Sequence, residues 1–299
     1  MLTTKSTVKF GAVEVSEKLK SYVTLMKFRL SFLVAFSSGF GYVLATQGPI
    51  NFYTLFILSL AGFLISGASI TINQIIEKDL DKLMKRTAGR PIPTGRVSVQ
   101  EASLLSLLTA SLGIILLIQH TNLLTAGLSV LSLVLYSFVY TPLKRVGPIA
   151  VLVGAFPGAL PPLLGWVAFT GSISHEALVL FGIQFIWQFP HFWAIAWVAD
   201  EDYKKAGFKL LPSGGGKDLK TAIQIMTYAL FLLPLGLLPL KLGITGVDSA
   251  IVATICGTLF LLQTFRLMAD CSRKSALQIM FGSFIYLPVV QIAFLLDKI

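Results

Sequence analysis

Asn73, Glu77 and Asp81 stand four residues apart in Ile72–Arg96, INQIIEKDLDKLMKRTAGRPIPTGR, the densest run of charge in the chain. On a helix that spacing stacks one amide and two carboxylates on a single face, with about 40° of drift per step. Lys85 continues the stripe, Arg86 and Arg90 follow, and Pro91 and Pro93 are expected to stop the helix. Mg²⁺ typically takes one or two carboxylates from a protein and completes its shell with substrate phosphates. Lys and Arg suit the phosphate oxygens themselves. The competing reading is a solvated loop whose charges follow membrane topology. The apolar run leading straight into Asn73 favours a site.

A second polar stripe lies in GIQFIWQFPHFWAIAWVADEDYKKAGFKLLP. Gln184, Gln188, His191, Val198 and Asp202 share one helical face. Polar side chains inside an apolar run are costly and turn toward a bundle interior. His191 is the one histidine within such a run. It is either a hydrogen-bonded structural group or a site residue, as general base or metal ligand. Asp200, Glu201 and Asp202 cannot all point inward. Asp202 continues the stripe and ranks first. In YTPLKR, Tyr140, Lys144 and Arg145 would bring further cations to the same end. SGGGK at 213–217 lacks the spacing of a phosphate-binding loop and reads as a flexible connection.

The elements that must carry these residues follow from composition. The chain has 299 residues, 55% hydrophobic and 13% charged, with mean hydropathy +0.80. A soluble chain carries about 25% charge. Apolar runs near 20 residues recur, without the two-residue alternation of a membrane barrel. The expected fold is all-α, a polytopic membrane protein with nine transmembrane helices in one bundle around a central cavity. The spans fall near 25–46, 52–73, 99–118, 122–140, 147–169, 177–199, 221–240, 247–266 and 277–296. Residues 1–24 form a polar N-terminal segment without a cleavable signal, and 25–299 the membrane domain.

Every Lys and Arg except Lys241 and Lys298 then lies on one side. That side is cytoplasmic by the positive-inside rule, with the N-terminus inside and the site at the cytoplasmic face of the cell membrane. The net charge of +10 thus reflects topology, and nucleic acid is not an expected partner. Cys256 and Cys271 form no disulfide framework or metal spacing. Prolines at 157, 161, 162, 190, 234, 239 and 288 are expected to splay helices and open the cavity. The charged loops after spans 2 and 6 faintly echo each other, as two repeated four-helix units would.

NQIIEKDLDKLMKRTAGRPIPTG resembles the N-x-x-x-[DE]-x-x-x-D signature of the UbiA-type intramembrane prenyltransferases. With R-T-x-x-R-P, YTPLKR, WQFPHFWAIA and DYKKAGFKLLP, it is most similar to the branch that farnesylates haem. The resemblance implies metal ligation by Asn73, Glu77, Asp81 and Asp202, with Val198 standing where the superfamily has another acid. It implies diphosphate binding by Lys85, Arg86, Arg90, Lys144 and Arg145, and acceptor handling by Trp187, Gln188 and His191. The implied reaction takes farnesyl diphosphate and haem B, with Mg²⁺, to haem O and diphosphate within the lipid bilayer. The implied protein partners are haem A synthase or terminal oxidase assembly. A UbiA-type transferase with a quinone-precursor acceptor, a transporter and a non-catalytic assembly factor are the alternatives. The clustering of charge at one end, rather than at the midplane, argues against the transporter.

Overall fold

Long apolar runs dictate the architecture, because in lipid only a helix satisfies its own backbone. The computed structural model describes residues 4–212 and 216–299, with side chains from Val15 onward. Ser213, Gly214 and Gly215 of the flexible connection therefore lie outside the described residues. A first helix, α1 (Thr4–Leu25), precedes nine helices, among the described residues, long and apolar enough to cross a membrane. These are α2 (Phe28–Ala45), α3 (Phe52–Ile76), α4 (Val99–His120), α5 (Leu123–Leu143), α6 (Ile149–Thr170), α7 (His175–Val198), α8 (Leu219–Lys241), α9 (Val247–Asp270) and α10 (Arg273–Leu296). Each expected span has its helix, with ends shifted by a few residues. Asn51, Ser98, Asn122, Ser174, Asp218 and Ser272 cap six of them, their side chains accepting from the first turn.

Consecutive membrane helices pack side by side, and α10 returns to α7 and, sparsely, to α2. α2 and α6 cross closely, where Gly41 faces the Pro162 carbonyl and Gly165 faces that of Ser38. Large apolar side chains such as Phe56, Leu107, Ile251 and Phe281 point outward, as lipid-facing positions require. At the C-terminal end of α10, Lys298 Nζ donates to the Val43 and Thr46 carbonyls and ties α10 to the end of α2.

Two helices end alike. α3 stops at Ile76, Glu77 leaves helical geometry (φ −91°, ψ 8°), and a single turn, Lys78–Asp81, follows. α7 stops at Val198, Ala199 does the same (φ −97°, ψ 11°), and Asp200–Lys205 follows. This is the structural form of the echo between the two loops. It also corrects the expectation that the first helix runs on to Pro91. Thr87 Oγ1 donates to the Asp81 carbonyl at 2.9 Å, and Arg96 Nη2 to that of Gly89 at 2.6 Å. These local bonds fold 82–96 into turns, so the helix has ended at Asp81, well before Pro91. Within α5, Leu135–Tyr140 is a π-helical segment.

Candidate active site at the mouth of the bundle

Asn73 lies in the last turn of α3, and Glu77 and Asp81 follow at its break and in the single turn beyond. They are 3%, 4% and 0% exposed, so a merely solvated loop does not describe them. Asn73 Nδ2 donates to Thr141 Oγ1 at 2.9 Å, and the Thr141 hydroxyl donates to the Tyr136 carbonyl at 2.9 Å. That chain leaves Asn73 Oδ1 as a free acceptor. Lys144 Nζ lies 2.8 Å from Glu77 Oε1, though not aligned as a hydrogen bond. Arg90 Nη1 donates to Asp81 Oδ2 at 2.6 Å, while Asp81 Oδ1 is buried with no hydrogen-bond partner among the described residues.

An orphaned carboxylate oxygen is expensive, and a hard cation is a natural partner for it. The donor set fits such an ion: one amide oxygen and two carboxylates, all oxygen. Among the described residues no cluster of three His, Cys, Asp or Glu occurs. Ligands beyond this set would therefore come from water or a bound anion.

The cations are divided. Lys144 and Arg90 are drawn in against the acids, whereas Lys85, Arg86 and Arg145 are exposed at the rim. Arg86 packs on Tyr203, its guanidinium carbon 5.7 Å from the ring centre. Lys27 also belongs here, and sequence reasoning passed over it. It sits between α1 and α2 with φ 45°, a conformation that costs a non-glycine residue roughly 1–3 kcal/mol. Its ammonium makes no ion pair among the described residues. Burial, reinforced by the charges of Arg90, Lys144 and Arg86, pushes it down to about 7, with Asp81 acting the other way. Only its place at the start of the first span, beside Arg29, hinted at it.

The second acidic cluster divides differently from expectation. The break at Ala199 turns Asp200 inward, 7% exposed, where Lys204 and Lys217 approach its Oδ2 at 2.9 and 3.3 Å. Asp202 is less buried, and its Oδ2 accepts the Arg86 backbone N–H at 3.2 Å. Glu201 is exposed. The two helix tips therefore do meet, with Asp202 joined to the Arg86 loop.

Behind the mouth lies a cavity of about 360 Å³. Tyr140 connects the two, lining the cavity while Lys144 Nζ stands 4.8 Å from its ring centre. The π-helical segment places Tyr136 on the same wall, its ring centre 5.4 Å from that of Tyr140. Trp187, Phe192 and Phe284 add further aromatic rings to a lining that is otherwise mostly aliphatic and small. Leu30, Leu33 and Phe284 line it and are also exposed, so it opens sideways between α2 and α10.

Trp187 and Gln188 line the cavity, whereas His191 lies behind Trp187, stacked at 4.4 Å. His191 Nδ1 meets Ser283 Oγ at 2.8 Å, and the Ser283 hydroxyl proton goes to the Met280 carbonyl at 2.6 Å. Nδ1 must then carry the proton, leaving Nε2 bare. Ser37 and Gln291, also missed from sequence, join Gln184 in the wall. The rule that flagged Gln184 and Gln188, a polar group within a span, applied equally to Gln291.

Known proteins resemble this chain in sequence and in fold. The chain is 55% identical over 285 residues to a protoheme IX farnesyltransferase from Cytophaga hutchinsonii, covering 95% of this chain and all of the relative. A solved digeranylgeranylglyceryl phosphate synthase superposes with a TM-score of 0.78 at 22% identity, covering 94% of this chain and 98% of that one. A UbiA homologue from Archaeoglobus fulgidus, solved with DMAPP and Mg²⁺, gives 0.65 at 16% identity, over 92% and 99%. Residues 33–287 match the model of the UbiA prenyltransferase family, and the chain belongs to that family.

Proposed function

We propose that this protein transfers the farnesyl group of farnesyl diphosphate to a vinyl carbon of haem B, with addition of water, yielding haem O and diphosphate. The observation that carries the transferase chemistry is the mouth itself. Two buried carboxylates stand among Lys27, Arg90 and Lys144, with an unpartnered Asp81 oxygen, above a cavity fit for an isoprenoid chain. The choice of haem as acceptor rests on the 55% identity to the farnesyltransferase.

Asn73, Glu77 and Asp81 would hold Mg²⁺, as the donor chemistry allows and as Mg²⁺ is present in the Archaeoglobus homologue. When bound, the ion supplies Lewis-acid stabilisation of the charge growing on the leaving diphosphate. Arg90, Lys144 and Lys27 bind the diphosphate oxygens, and Arg86 closes over them from the rim. Charge developing on the allylic carbon faces Tyr136 and Tyr140, whose ring faces attract a cation. The apolar wall excludes bulk water from it. Trp187 and Gln188 bound the acceptor's side of the cavity. His191, reached through Trp187, orients that side. Lys85, Arg145 and Asp202 hold the rim.

Residues 25–299 act as one membrane unit, with residues 1–24 and the mouth on the cytoplasmic side of the cell membrane. The basic residues gathered at that end support this orientation. The product would pass to haem A synthase or a terminal oxidase. The test is to incubate the protein in membranes with haem B and farnesyl diphosphate and to look for haem O by mass. Turnover with a phenolic acid and none with haem would select the quinone-type acceptor instead.

A further inference from the structure

Deep in the cavity, α2, α7 and α10 meet through side chains that a bilayer interior normally excludes. Ser37 Oγ donates to Gln184 Oε1 at 2.9 Å. Gln291 Nε2 donates to the same oxygen at 3.0 Å and to Ser37 Oγ at 3.2 Å. Gln184 Nε2 donates to the Gly158 carbonyl at 2.7 Å. One turn away, Gln188 Nε2 donates to the carbonyls of Ala155 at 2.9 Å and Gln184 at 3.2 Å.

These bonds fix the amide orientations, because turning either over would set oxygen against oxygen. Both Nε2 protons of Gln188 and of Gln291 are thereby committed within the protein. The Oε1 atoms of these two residues, only 2% and 5% exposed, meet no donor among the described residues. Both residues line the cavity.

An acceptor oxygen without a donor, on Gln188 beside Gly158 and on Gln291, selects a ligand that can donate. A diphosphate or an ionised carboxylate has no proton to give, so neither the leaving group nor an acid group of the acceptor suits it. Water does, and a buried water needs two to four polar partners of this kind. We propose that Gln188 and Gln291 hold the water that is added during the reaction, with Gln184 and Ser37 as positioning residues. This rests on the haem-farnesylating reading.

The balance is as follows. The bond between farnesyl C1 and the diphosphate oxygen breaks, and C1 bonds the terminal vinyl carbon. Positive charge is left on the vinyl carbon next to the ring. The held water's oxygen bonds that carbon, and the proton it loses goes to the released diphosphate. Without a placed water, the same cation sheds a proton from the adjacent carbon, giving an alkene lighter by one water.

The test compares Gln188→Met and Gln291→Met, which keep side-chain length and remove the acceptor. Each is made in the full chain, confirmed by thermal unfolding in detergent, and assayed with haem B and farnesyl diphosphate. The expected result is that the ratio of the lighter alkene to haem O rises roughly tenfold, the scale of one lost hydrogen bond. A merely structural role would lower total product at constant ratio. If either folded variant makes haem O with no rise in the alkene, the proposal is overturned. If the unaltered protein makes no farnesylated haem at all, the reading of the reaction has failed, and the water site falls with it.

Discussion

The backbone N–H of Arg86 donates to Asp202 Oδ2 at 3.2 Å across 116 residues of sequence, fastening the loop after α3 to the tip after α7. The bond makes one rim from two charged segments. The same loop is held again where Arg86 Nη2 meets the Tyr203 hydroxyl at 3.4 Å.

Loosening that rim should affect substrate capture more than chemistry. Asp202→Ala is expected to raise KM for farnesyl diphosphate about tenfold with a smaller change in kcat. Asp202→Asn, which keeps one acceptor oxygen, should fall between. Partial burial would raise the Asp202 carboxyl, but the N–H groups of Arg86 and Lys85 and the Lys205 ammonium hold it below the ordinary carboxylate range. The rim should therefore persist down to that range and loosen only below it. Steady-state kinetics at several pH values check both points.

Asp81→Asn removes a buried carboxylate from beside Arg90 and weakens the oxygen set at the mouth. A drop of roughly 10²–10³-fold in kcat is expected, the scale of losing a charge-stabilising group. Thermal unfolding should also shift, because breaking a buried ion pair strands its partner. Diphosphate release that stays at the unaltered rate, and stays Mg²⁺-dependent, would exclude Asp81 as a ligand.

Lys27 gives the mouth a pH dependence. With its ammonium pushed down to about 7, the side chain is charged below that value and neutral above it. An anionic ligand favours the charged form, so affinity for diphosphate should weaken as pH rises through 7. Inorganic diphosphate titrated against the protein between pH 6 and pH 8 measures this. Lys27→Met should bind more weakly at pH 6 and show a flatter profile than the unaltered protein.

The crossing of α2 and α6 should resist even a methyl group. A Cβ at Gly41 would lie 1.9 Å from the Pro162 carbonyl oxygen, and one at Gly165 would lie 1.9 Å from that of Ser38. Either Gly→Ala change is expected to destabilise by about 1–3 kcal/mol or more. Gly182→Ala, with nothing within 4 Å, is the control. Melting of the detergent-solubilised proteins compares the three.

Much of this molecule was legible because the bilayer makes composition decisive. Nine runs such as Phe52–Ile76 had to be helices, and the caps at Ser98 and Asn122 mark their starts. Asn73, Glu77 and Asp81 come together at the mouth because their four-residue spacing survives the break at Glu77, where i to i+4 backbone bonds continue. Lys85 was drawn onto the same stripe wrongly, since turns rather than a helix follow Asp81 and leave it exposed. Asp200 was ranked below Asp202 for the same reason, a loss of register at Ala199 that spacing cannot foresee. Lys27 and Gln291 depend on chain segments more than 50 residues away. Their significance lies in tertiary neighbours, which periodicity does not encode.

The tie made by Lys298 gives the sideways opening a pivot. α2 and α10 are pinned at the end away from the mouth and only sparsely joined along the rest of their length. Such a joint lets them part like the jaws of a clothes peg, widest toward the mouth. A long isoprenoid could thus be admitted broadside from the surrounding lipid, tail and head together, instead of being threaded end-on past the crowded cations of the rim.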